Sequence, residues 1–524
     1  MATQQGTPAA ATTAAATNAA GAAQTASAQV AMTLAGIAAT AATPRPSGES
    51  VADQCARAVR GIGRQLADPA LATAGAWALL WAALSEDNAN MAYLAKSTDA
   101  SNQFAVVLRG TVASSMTDLL EDLDVGAVVP FTALGTPAPV WVSTGAMEAF
   151  TQVMAMSGQG STLVQALSAA LATAPADPTV LVVGHSLGGC LATMVAPYLQ
   201  TLTWPGTTAP AFGLYTFAAP TAGGRDFADY ITNKPAWAVN ARYVNCWDVV
   251  PLAWTSIDEA KGWYPDNGPA AGEETKEILT AIASLSGPHV YAQPGPATTA
   301  QPQCTQEDDG YVPDTDLQRK SLQDFMGQAA HQHANDTYLH LMGAQPLPPG
   351  PQVTGISPAT GTSGTQVTIT GAGFDADSVV DFGPFACTGA TVSTAGTAIT
   401  VAAPEGIGVT PVRVTTSLGT SPAVPTGRFA YGGPAPVLVT GINPTSGNSV
   451  TTSVTIDGVN FASDATVYFG DVQAPAPDVT PPGQITVKVP AKTVTGPSTV
   501  NVTVVSNGYS SPAGPADEFT YSGL

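Results

Sequence analysis

The chain is 524 residues long, room for about three domains, and is 45% hydrophobic but only 10% charged. Its 17 Lys and Arg against 38 Asp and Glu give a net charge of −21. That balance argues against nucleic acid as a partner, whose phosphates need a basic surface, and against electrostatic docking on anionic membranes. Contact with a neutral lipid or polymer surface stays open, and no apolar run is long enough to predict a transmembrane segment.

Residues 1–48 are rich in Ala, Thr, Gln and Gly and carry no Lys or Arg before Arg45. This reads as a low-complexity, disordered tail without a Sec-type signal peptide. A structured domain is expected over 49–344. Helical patterning covers 51–66 and 70–84, and strands are expected at Met91–Ala95 and Gln103–Leu108. Helices follow near 145–157 and 162–173, then a strand at 179–183 and a helix over 190–199. A strand at Gly213–Ala218, a helix near 223–232 and a strand at Ala241–Asn245 complete the alternation. Such alternation predicts an α/β fold with a mainly parallel sheet. Residues 255–320 are polar, Pro-rich and acidic, with one helix near Glu273–Leu285, and Leu317–Gly343 is helical again.

Gln345–Pro351 reads as a semi-rigid linker. Beyond it Val, Thr, Gly and Pro dominate and a repeat appears. Ile356-Ser-Pro358-Ala-Thr-Gly361 returns as Ile442-Asn-Pro444-Thr-Ser-Gly447, and Phe429-Ala-Tyr431 returns as Phe519-Thr-Tyr521. Short alternating strands between turn signals predict two all-β Ig-like sandwiches, at 352–433 and 434–524. The five cysteines are few and widely separated, which argues against a disulfide framework. Cys190 and Cys246 read as small buried core residues.

The chemistry concentrates at Thr179-Val-Leu-Val-Val-Gly184-His185-Ser186-Leu187-Gly188-Gly189. A β-branched strand, a Gly-x-Ser-x-Gly turn and an Ala/Leu-rich helix form the context of a nucleophile elbow. A serine hydroxyl needs a base, and the base an orienting acid. In α/β-hydrolases they follow in the order Ser, Asp or Glu, His. His185 adjoins the serine and should point away from it, as a structural residue. His289, His331, His333 and His340 remain as candidate bases. Asp248, after the apolar Tyr243-Val-Asn-Cys-Trp segment and before Val-Val-Pro251, is the candidate acid. The backbone N–H of Leu187 is expected to be one oxyanion donor.

Four motifs together resemble the fungal-type (class 3) lipase family of α/β-hydrolases. They are Arg109-Gly-Thr111 with the acidic-aliphatic stretch after it, the Gly-His-Ser-Leu-Gly-Gly box, Phe217-Ala-Ala-Pro220 with Gly223-Gly, and Asn245-x-x-Asp248-x-Val-Pro. The resemblance covers roughly Val51 to Gly343. It implies Ser186 as nucleophile, Asp248 as acid and His333, placed before Tyr338, as base. His331 is the alternative base and His289, in the polar excursion, a rival. Thr111 is implied as the second oxyanion donor. The resemblance further implies an amphipathic lid over Val112–Leu134, a lipid or other hydrophobic ester substrate met at a lipid–water interface, and no metal or cofactor. A triacylglycerol lipase is the expected activity, with phospholipase A1, feruloyl or polyester hydrolysis as alternatives, and a surface-binding protein with a relic hydrolase domain as the competing class. The two repeats resemble IPT/TIG domains, candidate binders of a surface, a glycan or a protein. Low charge and Ig-like repeats favour an extracellular location over a cytoplasmic one.

Overall fold

In a computed structural model, the structure describes residues 26–41, 44–109, 125–206, 208–234, 236–263, 270–295, 322–406, 408–431, 437–448, 452–470, 472–481, 483–491, 498–506 and 509–521. Thr111 and the residues expected to form the body of the lid, Met116 to Leu123, lie outside them. The chain divides into two compact units. One comprises residues up to Ala42 with Val51–Pro348, the other Thr43–Ser50 with Pro349–Leu524.

The first unit opens with helix α1 (residues 26–37) and α2 (Val51–Leu66). Then come β1 (Trp77–Leu84), β2 (Met91–Ser97) and β3 (Gln103–Arg109), a hairpin of β4 (Val128–Phe131) and β5 (Val140–Ser143), and helices α3 (Thr144–Ala155) and α4 (Leu163–Ala172). Strand β6 (Thr179–His185), α5 (Leu187–Thr201), β7 (Ala211–Phe217), α6 (Arg225–Asn233) and β8 (Trp237–Tyr243) follow. Helices α7 (Glu273–Leu285), α8 (Leu322–His333) and α9 (Asn335–Met342) complete the unit.

Six strands form one sheet in the order β1-β2-β3-β6-β7-β8. The pairs β3–β6, β6–β7 and β7–β8 are parallel, whereas β1–β2 and β2–β3 are antiparallel. The sheet is covered on both faces at its centre, so the middles of β3 and β6 are apolar and buried. Phe104, Val106 and Leu108 enter the core beneath α3, α4 and α5, while Ala105 and Val107 enter the one beneath α1, α2 and α9. A third cluster, with Val125, Leu187, Val249, Trp254, Tyr291 and Phe325, surrounds the first residue of α5.

Three expectations are corrected here. The tail does not extend to residue 48: in α1, Ala31, Met32, Leu34 and Ile37 are buried, and Tyr93 donates to the Leu34 carbonyl at 2.6 Å. The helix survives in this uncharged stretch because its apolar face has a sheet to cover. Residues 77–84, expected to be helical, form β1. Ala and Leu favour helix on their own, but pairing with β2 along Trp77–Leu84 overrides that preference. The Pro-rich stretch, expected as a semi-rigid spacer, is partly anchored, because Leu347 packs onto the core beneath α1.

In the second unit the repeats have matching topology. Strands β9 (Gln352–Ser357), β10 (Gln366–Ala372), β11 (Val379–Phe382), β12 (Ala398–Ala402), β13 (Gly408–Thr416) and β14 (Arg428–Tyr431) form the first. Strands β15 (Leu438–Asn443), β16 (Ser453–Val459), β17 (Thr466–Phe469), β18 (Gln484–Lys488), β19 (Ser498–Ser506) and β20 (Glu518–Tyr521) form the second. Each repeat has one sheet built on β9-β10-β12 or β15-β16-β18 and another on β14-β13-β11 or β20-β19-β17. Their cores repeat as well: Phe382 meets Phe429 edge-on at 5.3 Å, and Phe469 meets Phe519 at 5.1 Å.

Candidate active site

Strands β3, β6 and β7 end level with one another, with Arg109, His185 and Phe217 in register. Beyond this edge the chain turns sharply into α5. Ser186 sits at the turn with φ 58° and ψ −132°, a left-handed conformation that costs a non-glycine residue on the order of 1–3 kcal/mol. The surroundings impose it. The Ser186 N–H is held by the Phe217 carbonyl at 2.9 Å, and its own carbonyl accepts from Gly189 and Cys190 at 2.8 and 3.1 Å. The turn is tight enough to require glycines. A Cβ on Gly184 would lie 2.1 Å from the Gly188 oxygen, and one on Gly188 would lie 2.0 Å from the Leu108 oxygen. Leu187, the first residue of α5, is buried, and the helix N-terminus behind it presents backbone N–H groups beside Ser186.

Asp248 lies in the turn after β8, its N–H bonded to the Asn245 carbonyl at 3.0 Å. Its carboxylate is buried and accepts three sets of bonds: from Val250 N–H at 3.0 Å, from the Tyr338 hydroxyl at 2.8 Å, and from His333 Nδ1 at 2.9 Å. His333 ends α8, and its Nε2 is 2.8 Å from Ser186 Oγ. Ser186, His333 and Asp248 thus form one hydrogen-bonded chain from residues far apart in sequence.

His331, on the last turn of α8, is half-buried and stands outside this chain; its backbone carbonyl accepts from the Thr337 hydroxyl. His289 lies elsewhere, lining a separate cavity of about 260 Å³ with Val128, Trp141 and Tyr291. His185 does not simply point away. Its ring lies 4.9 Å from that of His333 and 5.3 Å, edge-on, from that of Tyr338. Burial, reinforced by the neighbouring His333, holds its pKa well below the usual histidine range.

Sequence reasoning missed the supports of this chain. Tyr338, fully buried, donates to Asp248 and accepts from the Asn245 N–H at 2.9 Å. Burial, together with the charge of Asp248, pushes its phenol well above the ordinary tyrosine pKa, so it stays a donor. Asn245 spans the acid and base segments, its Nδ2 donating to the backbone carbonyl of Gln332 at 3.0 Å and to its side chain at 2.7 Å. The Asn-x-x-Asp spacing was visible, but its partner 87 residues away was not.

Cys246 corrects one expectation: it is exposed rather than a small buried core residue, and it is disulfide-bonded. Cys190 is buried and free, and burial pushes its thiol up to about 12, which leaves it unreactive.

Residues 105–256 match the family Lipase (class 3), and residues 351–431 and 436–521 each match the IPT/TIG domain. A segment of 93 residues is 38% identical to a secreted mono- and diacylglycerol lipase 1 of Fusarium solani. That segment is 18% of this chain and spans about a quarter (24%) of the curated relative. Among solved structures, M37 lipase superposes with a TM-score of 0.50 at 19% identity, over 61% of this chain and 92% of that one. A triacylglycerol lipase of Penicillium expansum overlaps at 23% identity with a TM-score of 0.28, over 34% of this chain and 64% of that one. The chain joins a class 3 lipase domain of α/β-hydrolase fold to two IPT/TIG domains.

Proposed function

We propose that the α/β unit is a serine hydrolase of carboxylic esters that acts on acylglycerols. The observation that carries the reading is the continuous chain from Ser186 Oγ to His333 Nε2 at 2.8 Å and from His333 Nδ1 to Asp248 at 2.9 Å. Ser186 attacks the ester carbonyl as His333 takes its proton. Asp248 holds the imidazole with Nδ1 protonated and Nε2 facing the serine, and it stabilises the imidazolium that forms. The Leu187 N–H at the start of α5, with Thr111 by family resemblance, donates to the oxyanion. His333 then protonates the departing alcohol, and water releases the acid by the same steps in reverse. No cofactor enters the scheme.

The match to the class 3 lipase family supports an ester of lipid type. The Fusarium relative is named for mono- and diacylglycerols, which makes partial glycerides a candidate substrate beside triacylglycerol. The test is hydrolysis of p-nitrophenyl esters of increasing chain length, then of emulsified mono-, di- and triacylglycerol, by the wild-type chain and Ser186→Ala. Activity should fall by several orders of magnitude in the variant. Hydrolysis unaffected by Ser186→Ala overturns the nucleophile. No hydrolysis of any ester by the wild type moves the weight to a binding role.

A further inference from the structure

Two loops meet beside the reacting chain. The first continues β7: the Phe217 carbonyl holds the Ser186 N–H at 2.9 Å, and Ala218 follows with φ 54°. The second follows β8 and carries Asp248, whose Oδ1 accepts from the Val250 N–H at 3.0 Å. Val250–Leu252 is a short 3-10 turn, and its own bonds use the carbonyls of Val249 and Val250. The next carbonyl, that of Pro251, accepts from Gln293 Nε2 at 3.0 Å, and the same nitrogen donates to the Ala219 carbonyl at 2.9 Å. An amide nitrogen has two hydrogens to give, and here each goes to a different loop. The backbone around Gln293 is fixed in turn. The Ala292 N–H donates to the Gly223 carbonyl at 3.1 Å, the Gly295 N–H to the Thr232 hydroxyl at 2.7 Å, and the buried Tyr291 hydroxyl to the Val125 carbonyl at 2.8 Å.

We infer that Gln293 is a positioning residue for the acid: its amide ties the turn that orients Asp248 to the strand end that holds the Ser186 N–H, so that acid and nucleophile keep their spacing. This deepens the proposed function and rests on the reading of Ser186, His333 and Asp248 as the reacting chain. Gln293 belongs to the polar, Pro-rich stretch and lies outside every motif that carries the reacting groups. It acts through Asp248 alone. A shift of the Asp248 turn passes to His333, whose Nδ1 stands 2.9 Å from the carboxylate, and from there to the nitrogen that faces Ser186. A misplaced base slows the chemical step and leaves binding of the ester as it was. The size of the effect is set by a second anchor. Thr221 donates from its N–H and its hydroxyl to the Ala253 carbonyl, each at 2.9 Å, and its hydroxyl accepts from the Trp254 N–H at 3.0 Å. Loss of the Gln293 amide therefore loosens the acid loop without releasing it.

The experiment compares Gln293→Met with Gln293→Lys in the full chain. Methionine keeps the length of the side chain and removes the donor, whereas the lysine ammonium still donates to carbonyls. The substrate is a soluble short-chain p-nitrophenyl ester. Rates for the two variants are taken per active serine, titrated with a phosphonate, and well below each melting midpoint, so that a loss of fold is not counted as a loss of kcat. Gln293→Met should lose about three- to tenfold in kcat, the worth of a part-buried hydrogen bond, with KM within about twofold. Gln293→Lys should keep kcat within about twofold of wild type. Wild-type kcat in Gln293→Met, a loss that appears in KM, or equal losses in the two variants overturns the inference. Ser186→Ala is measured alongside. If it abolishes activity while Gln293→Met is unimpaired, the inference fails and the proposed function stands. If it leaves activity intact, the proposed function fails first.

Discussion

At the scale of single residues, the hydrogen-bonded chain of Ser186, His333 and Asp248 rests on groups behind it. Tyr338 both donates to Asp248 and accepts from the Asn245 N–H. Tyr338→Phe removes one donor from a buried carboxylate and leaves a backbone N–H without its acceptor. At about 1–1.5 kcal/mol per bond, kcat is expected to fall about five- to tenfold, and thermal unfolding should show a modest loss of stability. Unchanged kcat would make the tyrosine a packing residue only. Gly188→Ala is expected to be far worse. Its Cβ would meet the Leu108 oxygen at 2.0 Å, and that oxygen belongs to a central strand held by its neighbours on both sides. Destabilisation by more than about 3 kcal/mol is expected; a variant with wild-type melting would mean the elbow has slack. These residues also mark what could be read from sequence. The elbow was legible because strand, glycines, serine and helix are contiguous. Asp248 and His333 were singled out by the family resemblance, which puts the base before Tyr338, because the order of the groups along the chain alone left four histidines open. The contact of Tyr338 with Asn245 was not legible, because it joins positions 93 apart and depends on how α9 packs.

At the scale of elements, α1 shows how composition misleads. Its sequence, Ser27-Ala-Gln-Val-Ala-Met-Thr-Leu-Ala-Gly-Ile37, carries no charge and follows a long Ala/Thr run, which reads as low complexity. Yet Met32, Leu34 and Ile37 are fully buried against the sheet, and Gln29 donates to the Met342 carbonyl at 2.9 Å. Leu34→Ala and Ile37→Ala are each expected to cost about 2–4 kcal/mol, the range for a buried large-to-small change. Chemical denaturation of the α/β unit measures it. Costs near zero would mean that α1 docks without contributing to the core. Strand β1 was misread for the converse reason. Trp77-Ala-Leu-Leu-Trp-Ala-Ala-Leu84 has good helix formers throughout, and only the antiparallel partner β2 decides the matter. The strands buried on both faces, β3 and β6, were read correctly because β-branched and aromatic residues dominate them and turn signals bound them.

At the scale of the whole molecule, the notable departure from a linear domain order is the segment Thr43–Ser50. It stands in sequence between α1 and α2 but belongs to the unit of the β-repeats. Arg45 gives the segment a charged link to that unit. Its guanidinium meets Asp381 at 3.1 Å, and the Asp381 side chain is fully buried in β11. In the second repeat the corresponding position is Tyr468, so the repeat pattern itself gives no hint of a charge there. A buried carboxylate that loses its partner is left uncompensated, whereas replacing both members of a pair is often tolerated. Arg45→Met should therefore destabilise the repeat unit. Arg413 stands across from Asp381 on β13 and limits the loss to about 1–3 kcal/mol. Arg45→Met combined with Asp381→Asn should recover most of that loss. The two single variants and the double form a cycle that isolates the coupling of the pair, read from the unfolding transition of the full chain. Strict additivity would mean that Arg45 lies beside Asp381 without holding it, and the segment's place in this unit would then need another anchor. A coupling of the expected size makes the β-repeats dependent on residues some three hundred positions upstream of their first strand. A fragment beginning at Pro349 should then melt below the same unit in the intact chain.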